Sequence, residues 1–288
     1  MTDDLQGQVA IVTGGGRGFG RAIAECYARA GASVVVTSRT ESELADTADA
    51  IRCAGGQALA VPADVTEPDA VRRVHHEATS AFGPASLVVH GAGVFGPFGP
   101  IWEVDPDEWW RAQAVHVRGA ALFMSTFAPD MIARGGGRFI VLTSSASRRL
   151  RPNHSSYHLA KHTQNHLVSH LAAEGKPHGI KAWAVHPGMA ATDMADDAIQ
   201  SEAARKYIPD VVESFQQQNS EEEVRARLRT CADYCLAVAR GRADQLSGAY
   251  LVATEGVEEV DARIRRAGQS KAEKKLRRAA SKARRLMP

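Results

Sequence analysis

Tyr157 and Lys161 stand four residues apart, a spacing that brings two side chains onto one face of a helix. A phenol transfers protons poorly at neutral pH, because its unperturbed pKa lies at about 10. A neighbouring ammonium favours the phenolate and draws that value down. The pair could then protonate a carbonyl oxygen, or deprotonate an alcohol in reverse. Lys161 is the only lysine among residues 1–175, a span that holds fourteen arginines. Arginine is a planar fork; lysine is a compact charge with three rotatable donors, able to bond ribose hydroxyls and sit close to a phenol. Ser144, thirteen residues before Tyr157, supplies a hydroxyl to hydrogen-bond the same oxygen where charge develops.

The elements that must position these side chains alternate between strand and helix. Val9–Thr13 is a short β-branched run, read as a buried parallel strand, and a glycine turn and a helix up to Gly31 follow it. Such a turn points bare backbone N–H groups and a helix N-terminus at one spot, which attracts a pyrophosphate. Gly14, Gly18 and Gly20 follow the pattern TGxxxGxG. Further strands are expected at 33–37, 57–61, 86–90, 138–143, 181–186 and 249–252. Helices are expected at 41–54, 67–82, 107–134, 155–178 and 221–240. The alternation predicts an α/β fold: a Rossmann-like, doubly wound parallel sheet of about seven strands with helices on both faces. Right-handed crossovers then gather the glycine turn, Ser144, Tyr157 and Lys161 at one sheet edge.

The end of the second strand tests the adenosine ribose in such a fold. A carboxylate there would bond the 2′-hydroxyl and select NAD. This chain has Ser38 and Arg39, with Arg17 in the glycine turn, and those residues suit a 2′-phosphate. NADP(H) is therefore expected over NAD(H).

With 288 residues, 44% of them hydrophobic, the chain can bury one large core. The net charge of +2 is unevenly spread: residues 262–288 carry eleven Lys/Arg and one Glu, which leaves 24 basic and 32 acidic residues elsewhere, a net of −8. Residues 1–260 are read as one dinucleotide-binding domain, and 261–288 as a basic helical or flexible tail. Leu276, Ala279, Ala280, Ala283 and Met287 would line one face of that tail, solvated or docked on an acidic body. Nucleic acid is not expected as a partner, because no aromatic residues are interleaved with the cations. Four cysteines without a Cys-x-x-Cys, and a start unlike a signal peptide, suggest a reducing cytoplasmic setting. Cys231 and Cys235 share a helix face, but nothing near them in sequence completes a zinc site, so no metal is expected. No apolar run reaches the length of a membrane span.

Taken together, TGGGRGFG at 13–20, Asp64, HGAG at 90–93, Ser144, YHLAK at 157–161 and HPGMAAT at 186–192 resemble the short-chain dehydrogenases/reductases over residues 8 to about 252. The resemblance implies a nicotinamide cofactor, a Ser144-Tyr157-Lys161 site and a hydride exchanged with a ketone or secondary alcohol. It further implies cofactor contacts from Gly14, Arg17, Gly18, Phe19 and Gly20, from Ser38 and Arg39, and from Asp64 and Val65 at the adenine. Ala92, Tyr157 and Lys161 would follow, with Pro187, Gly188 and Thr192 bordering the nicotinamide. A homodimer or homotetramer built through the two long helices is implied as well.

Two departures from the family pattern stand out. His90-Gly91 replaces an Asn pair, and His116 replaces the Asn that joins a water relay to the lysine. His116 is expected either to take over that relay, since imidazole both donates and accepts protons near neutral pH, or to be a hydrogen-bonded core histidine with slower proton exchange. These changes leave two other readings open: a cofactor-assisted isomerase or dehydratase, and a non-catalytic module that senses NADP(H). Residues 189–219 are read as an insert forming a substrate lid. Phe95, Phe98, Trp102, Met189 and Met194 are expected to line an apolar pocket, which points to a fairly apolar small-molecule ketone or alcohol.

Overall fold

The computed structural model describes residues 5–217 and 220–267. β1 (Val9–Thr13) is buried along its whole length, as its unbroken apolar run requires of a central parallel strand. Around it the chain lays down β2 (Ser33–Thr37), β3 (Gln57–Ala60), β4 (Leu87–His90), β5 (Gly137–Leu142), β6 (Ile180–His186) and β7 (Tyr250–Val252). All seven pair in parallel in the order β3-β2-β1-β4-β5-β6-β7. The order reverses at β1, so the crevice between the carboxyl ends of β1 and β4 is where a ligand belongs in such a sheet.

Helices cover both faces. α1 (Gly18–Arg29), α2 (Glu41–Cys53) and α10 (Glu221–Ala239) pack on one side through Ile23, Tyr27, Leu44, Ile51, Tyr234 and Val238. On the other side α3 (Pro68–Phe82), α5 (Gly119–Ala133) and α6 (Ser155–Gly175) bring Val74, Phe123, Phe127, Met131 and Val168 against Ile11, Val88 and Phe139. The largest buried rings keep their polar tips satisfied. Trp183 Nε1 donates to the Ala243 carbonyl at 3.1 Å, and the Tyr27 hydroxyl to that of Cys235 at 3.0 Å.

One expectation needs correcting. The helix read as continuous over 107–134 is α4 (Pro106–Gln113) and α5, joined by a π-helical stretch, Ala114–Arg118, that holds His116. Such stretches often occur at functional sites. The residues after β6, read as an insert, fold into three short helices: α7 (Asp193–Gln200), α8 (Glu202–Tyr207) and α9 (Pro209–Gln216). They share a small core of Ala198, Ala204, Ile208 and Val212, with Phe95 and Phe98 packed against it.

A final helix, α11, covers 257–267 and runs across position 261. Its Val260 is buried and its Ile264 packs on the core. The tail face expected at Leu276, Ala279, Ala280, Ala283 and Met287 lies outside the described residues. Among the described residues no helix is long and apolar enough to cross a membrane, and no group of three or more potential ligands could hold a metal ion.

Candidate active site

Because the sheet is parallel, the turns after β1, β4, β5 and β6 open at one edge. At Gly14 and Gly20 the turn after β1 has no room for a side chain. A Cβ on Gly20 would stand 2.1 Å from the Gly14 carbonyl oxygen, and Gly14 itself has a φ of +67°. Thr13 links this turn to the next one. Its Oγ1 accepts from the backbone N–H groups of Gly91 and Ala92, both at 3.1 Å, so its own hydrogen goes to His90 Nδ1 at 3.2 Å. Burial, reinforced by the charge of Lys161, pushes His90 down to about 3, so this histidine is a neutral bolt between β1 and β4.

Ser144 follows β5 and caps a short turn, with Oγ accepting from Ala146 N at 3.2 Å. Its carbonyl accepts from Ser147 Oγ at 2.6 Å, and Asn165 on α6 holds Ser147 Oγ at 2.8 Å. α6 carries Tyr157 and Lys161 one turn apart, both buried. Gln113 and Gln164 tie the π-helical stretch to α6: Gln164 Nε2 donates to the His116 carbonyl at 2.8 Å, and Gln113 Nε2 to that of Ser156 at 2.6 Å.

Tyr157 lies in an aromatic nest. His154 stacks on it at 5.0 Å between centroids, and Phe95 and His116 meet it edge-on at 4.9 and 5.6 Å. Burial pushes the phenol up to about 12, against a smaller downward pull from its hydrogen bond with Ser144. Lys161 Nζ donates to the Leu142 carbonyl at 2.8 Å, and burial brings it down to about 7. The expected lowering of the phenol by the ammonium is therefore not built into the protein alone. Loss of solvation outweighs the pairing, and each group is driven toward its neutral form.

One cleft of about 600 Å³ collects Gly14, Arg17, Gly18, Phe19 and Gly20 from the first turn, Ser38 and Arg39 from the end of β2, and Asp64, Val65 and Ala92. Ser144, Tyr157, Lys161, Pro187, Gly188 and Thr192 complete the same wall. His116 is the exception. It is fully buried behind the wall, its Nε2 2.7 Å from the Val94 carbonyl oxygen and its Nδ1 without a partner. Gly93 makes space for the ring, since a Cβ there would meet His116 Cε1 at 2.6 Å. Burial, aided by the charge of Lys161, holds this imidazole well below its ordinary value, so it is neutral.

The expected apolar pocket is corrected in part. Phe95, Met189 and Met194 line the cleft, but Trp102 is 82% exposed and Phe98 packs behind Phe95 and His154. α9 supplies Val211 and Phe215 in their place. Several lining residues escaped the sequence reading. Glu43 forms an ion pair with Arg17 at 3.5 Å at the adenosine end, and a carboxylate in the first turn of a helix reads as a partner of the helix dipole instead. His186, immediately before Pro187-Gly188, also lines the cleft, and its buried Nδ1 has no partner. Arg149 and Leu150 belong to the basic loop after Ser144.

The residues can hold a dinucleotide. The turn after β1 is a cradle that a single Cβ would fill, Ser38 Oγ is buried at the far end without a partner, and Lys161 is a buried amine with one carbonyl for company.

The sequence profile of the short chain dehydrogenases matches residues 8–203. A short chain dehydrogenase of Pseudocercospora fijiensis is 31% identical over 261 residues, covering 89% of this chain and 83% of its own length. An NADPH-dependent aldehyde reductase-like chloroplast protein of Arabidopsis thaliana is 37% identical, with coverages of 70% and 79%. Among solved structures, a gluconate 5-dehydrogenase from Burkholderia cenocepacia in complex with NADP and tartrate superposes with a TM-score of 0.73. It is 26% identical and covers 86% of this chain and 94% of its own.

Proposed function

The chain belongs to the short-chain dehydrogenase family, and from that membership we propose that it is an NADP(H)-dependent oxidoreductase acting on a ketone or secondary alcohol of a fairly apolar small molecule. The observation that carries this reading is the convergence of Ser144, Tyr157 and Lys161 on the cleft that the glycine turn also lines. A bound nicotinamide would supply or accept the hydride.

In this reading the Tyr157 hydroxyl hands a proton to the carbonyl oxygen, or takes it from the alcohol. Ser144 Oγ donates a hydrogen bond to the same oxygen as negative charge builds there. Lys161 exchanges its carbonyl partner for ribose hydroxyls, regains its proton beside an anionic ligand and lowers the barrier at Tyr157. His116 serves as a positioning and relay group through its unpartnered Nδ1, in line with its ring's approach to Tyr157. The turn residues Gly14, Arg17, Gly18, Phe19 and Gly20 hold the phosphates, Asp64 and Val65 the adenine, and Ala92, Pro187, Gly188 and Thr192 the nicotinamide end.

NADP(H) is preferred because Ser38 and Arg39 at the end of β2, with Arg17 from the first turn, line the cleft and suit a 2′-phosphate. The Arabidopsis relative is called NADPH-dependent, and the Burkholderia structure holds NADP. Trp110 on α4 and Leu159 on α6 are 66% and 48% exposed, which favours a homodimer or homotetramer formed through those helices. The cysteines, none of them in a disulfide among the described residues, fit a cytoplasmic enzyme.

The test is consumption of NADPH with a panel of apolar ketones. Net oxidation that yields the alcohol supports an oxidoreductase. Conversion without net cofactor change would favour an isomerase or dehydratase, and cofactor binding without turnover would favour a sensor.

A further inference from the structure

Beyond Lys161, the substrate end of the cleft holds one cationic side chain that no carboxylate compensates among the described residues, Arg149. Arg151 is bound by both Asp210 oxygens, at 2.7 and 2.8 Å, so that pair cancels across the mouth. His154 and His186 are both held at about 4, chiefly by burial, and add no charge at neutral pH. Arg149 lines the same space, is exposed to solvent and makes no ion pair among the described residues. Its backbone is fixed: the Arg149 carbonyl accepts from His158 Nδ1 at 2.8 Å, and His158 directly follows Tyr157. Arg148, its neighbour in sequence, turns away and lies over the Tyr250 ring at 5.1 Å. Leu150, Met189, Val211 and Phe215 add apolar lining here, with Ser145, His158 and Ser214 among them.

Building on the oxidoreductase reading, we propose that Arg149 is an anion-recognition residue and that the substrate is a keto acid: an apolar body with the reacting carbonyl at Tyr157 and a carboxylate that reaches Arg149. A guanidinium binds a carboxylate through two parallel hydrogen bonds, with more geometric selectivity than a point charge gives. Val211 and Phe215 would pack on the body of the ligand, and the charged end sets its direction in the cleft. A substrate oriented from both ends presents one face of its carbonyl to the cofactor.

The experiment compares three matched pairs, each a keto acid and its methyl ester, with an acyclic, a cyclic and an aryl body. NADPH oxidation is measured with the wild type, Arg149→Met and Arg148→Met. For at least one pair the wild type is expected to prefer the acid in kcat/KM by about tenfold, the size of one well-formed charge-assisted contact. Arg149→Met should erase that ratio, mainly through KM, and Arg148→Met should keep it. Equal use of acid and ester in all three pairs overturns the proposal, as does a preference that survives Arg149→Met. If no compound is turned over, it is the oxidoreductase reading that fails. Calorimetric binding of acids and esters to the full chain with NADP+ then decides the anion site alone. Tighter acid binding that is lost in Arg149→Met supports it, and equal affinities overturn it.

Discussion

Lys161 Nζ stands 5.6 Å from the centroid of the Tyr157 ring and spends a hydrogen on the Leu142 carbonyl at 2.8 Å. The two groups are close enough to act together, yet burial holds the phenol up at about 12 and the amine down at about 7. Activation of the phenol must therefore arrive with the ligand, when anionic phosphates and ribose hydroxyls give the ammonium a reason to form.

Cofactor binding should take up protons. The unfolded chain keeps the Lys161 proton up to about 10.5, and the folded, ligand-free protein gives it up near about 7. Through this group the free protein gains stability as pH rises across that window, because the unfolded state binds more protons there. NADP+ should reverse the effect, with uptake approaching one proton at about pH 8–9. Calorimetry in buffers of different ionisation enthalpy measures it. Uptake should vanish in Lys161→Met, and equal values in the two proteins would contradict the assignment.

Cofactor choice should turn on the residues at the end of β2. Arg39→Asp should lower kcat/KM for NADPH relative to NADH by about tenfold to a hundredfold, since it replaces a charge-assisted contact with a repulsion. Glu43→Gln should move the ratio the other way, because Glu43 competes for Arg17 at 3.5 Å. Ratios that stay within twofold of wild type in both variants would show that the 2′-phosphate is not read here.

His116→Asn should shift the apparent pKa in the pH profile of kcat by about half a unit to one unit if Nδ1 carries protons to or from Lys161. Loss of thermal stability with a superimposable profile would reduce His116 to a ring that fills the space Gly93 leaves.

The lid should be held by Arg151 and Asp210. Asp210→Ala removes a partly exposed pair, so little stability is at stake, but α9 loses its anchor to the loop after Ser144. KM for the ketone is expected to rise severalfold while kcat stays within about twofold. A large fall in kcat with unchanged KM would argue against a lid role.

Much of this arrangement is legible in the amino-acid sequence. Gly14, Gly18 and Gly20 announce a turn that no Cβ can enter, and the β-branched runs of β1, β2 and β4 announce buried parallel strands. The parallel sheet then carries Ser144, Tyr157 and Lys161 to the same edge as that turn. What stayed hidden depends on tertiary packing. The π-helical stretch around His116 keeps the apolar rhythm of the helices that flank it, so α4 and α5 read as one. Phe95, Phe98 and Trp102 share one Gly/Pro-rich loop, and only the fold decides that the first faces the cleft, the second backs it and the third faces water. α7, α8 and α9 are each too short for periodicity to reveal, and they are stable through Ala198, Ile208 and Val212 packing on one another. The inverted titration of Tyr157 and Lys161 is a matter of burial, which spacing does not report.

The most direct test is Tyr157→Phe, assayed for NADPH binding and for ketone reduction side by side. The account predicts binding within about threefold of wild type and a rate lower by about a hundredfold to ten-thousandfold, the usual share of a positioned proton donor. A variant that reduces ketones within a few-fold of the wild-type rate would contradict the proton-transfer role on which the reading of this cleft rests.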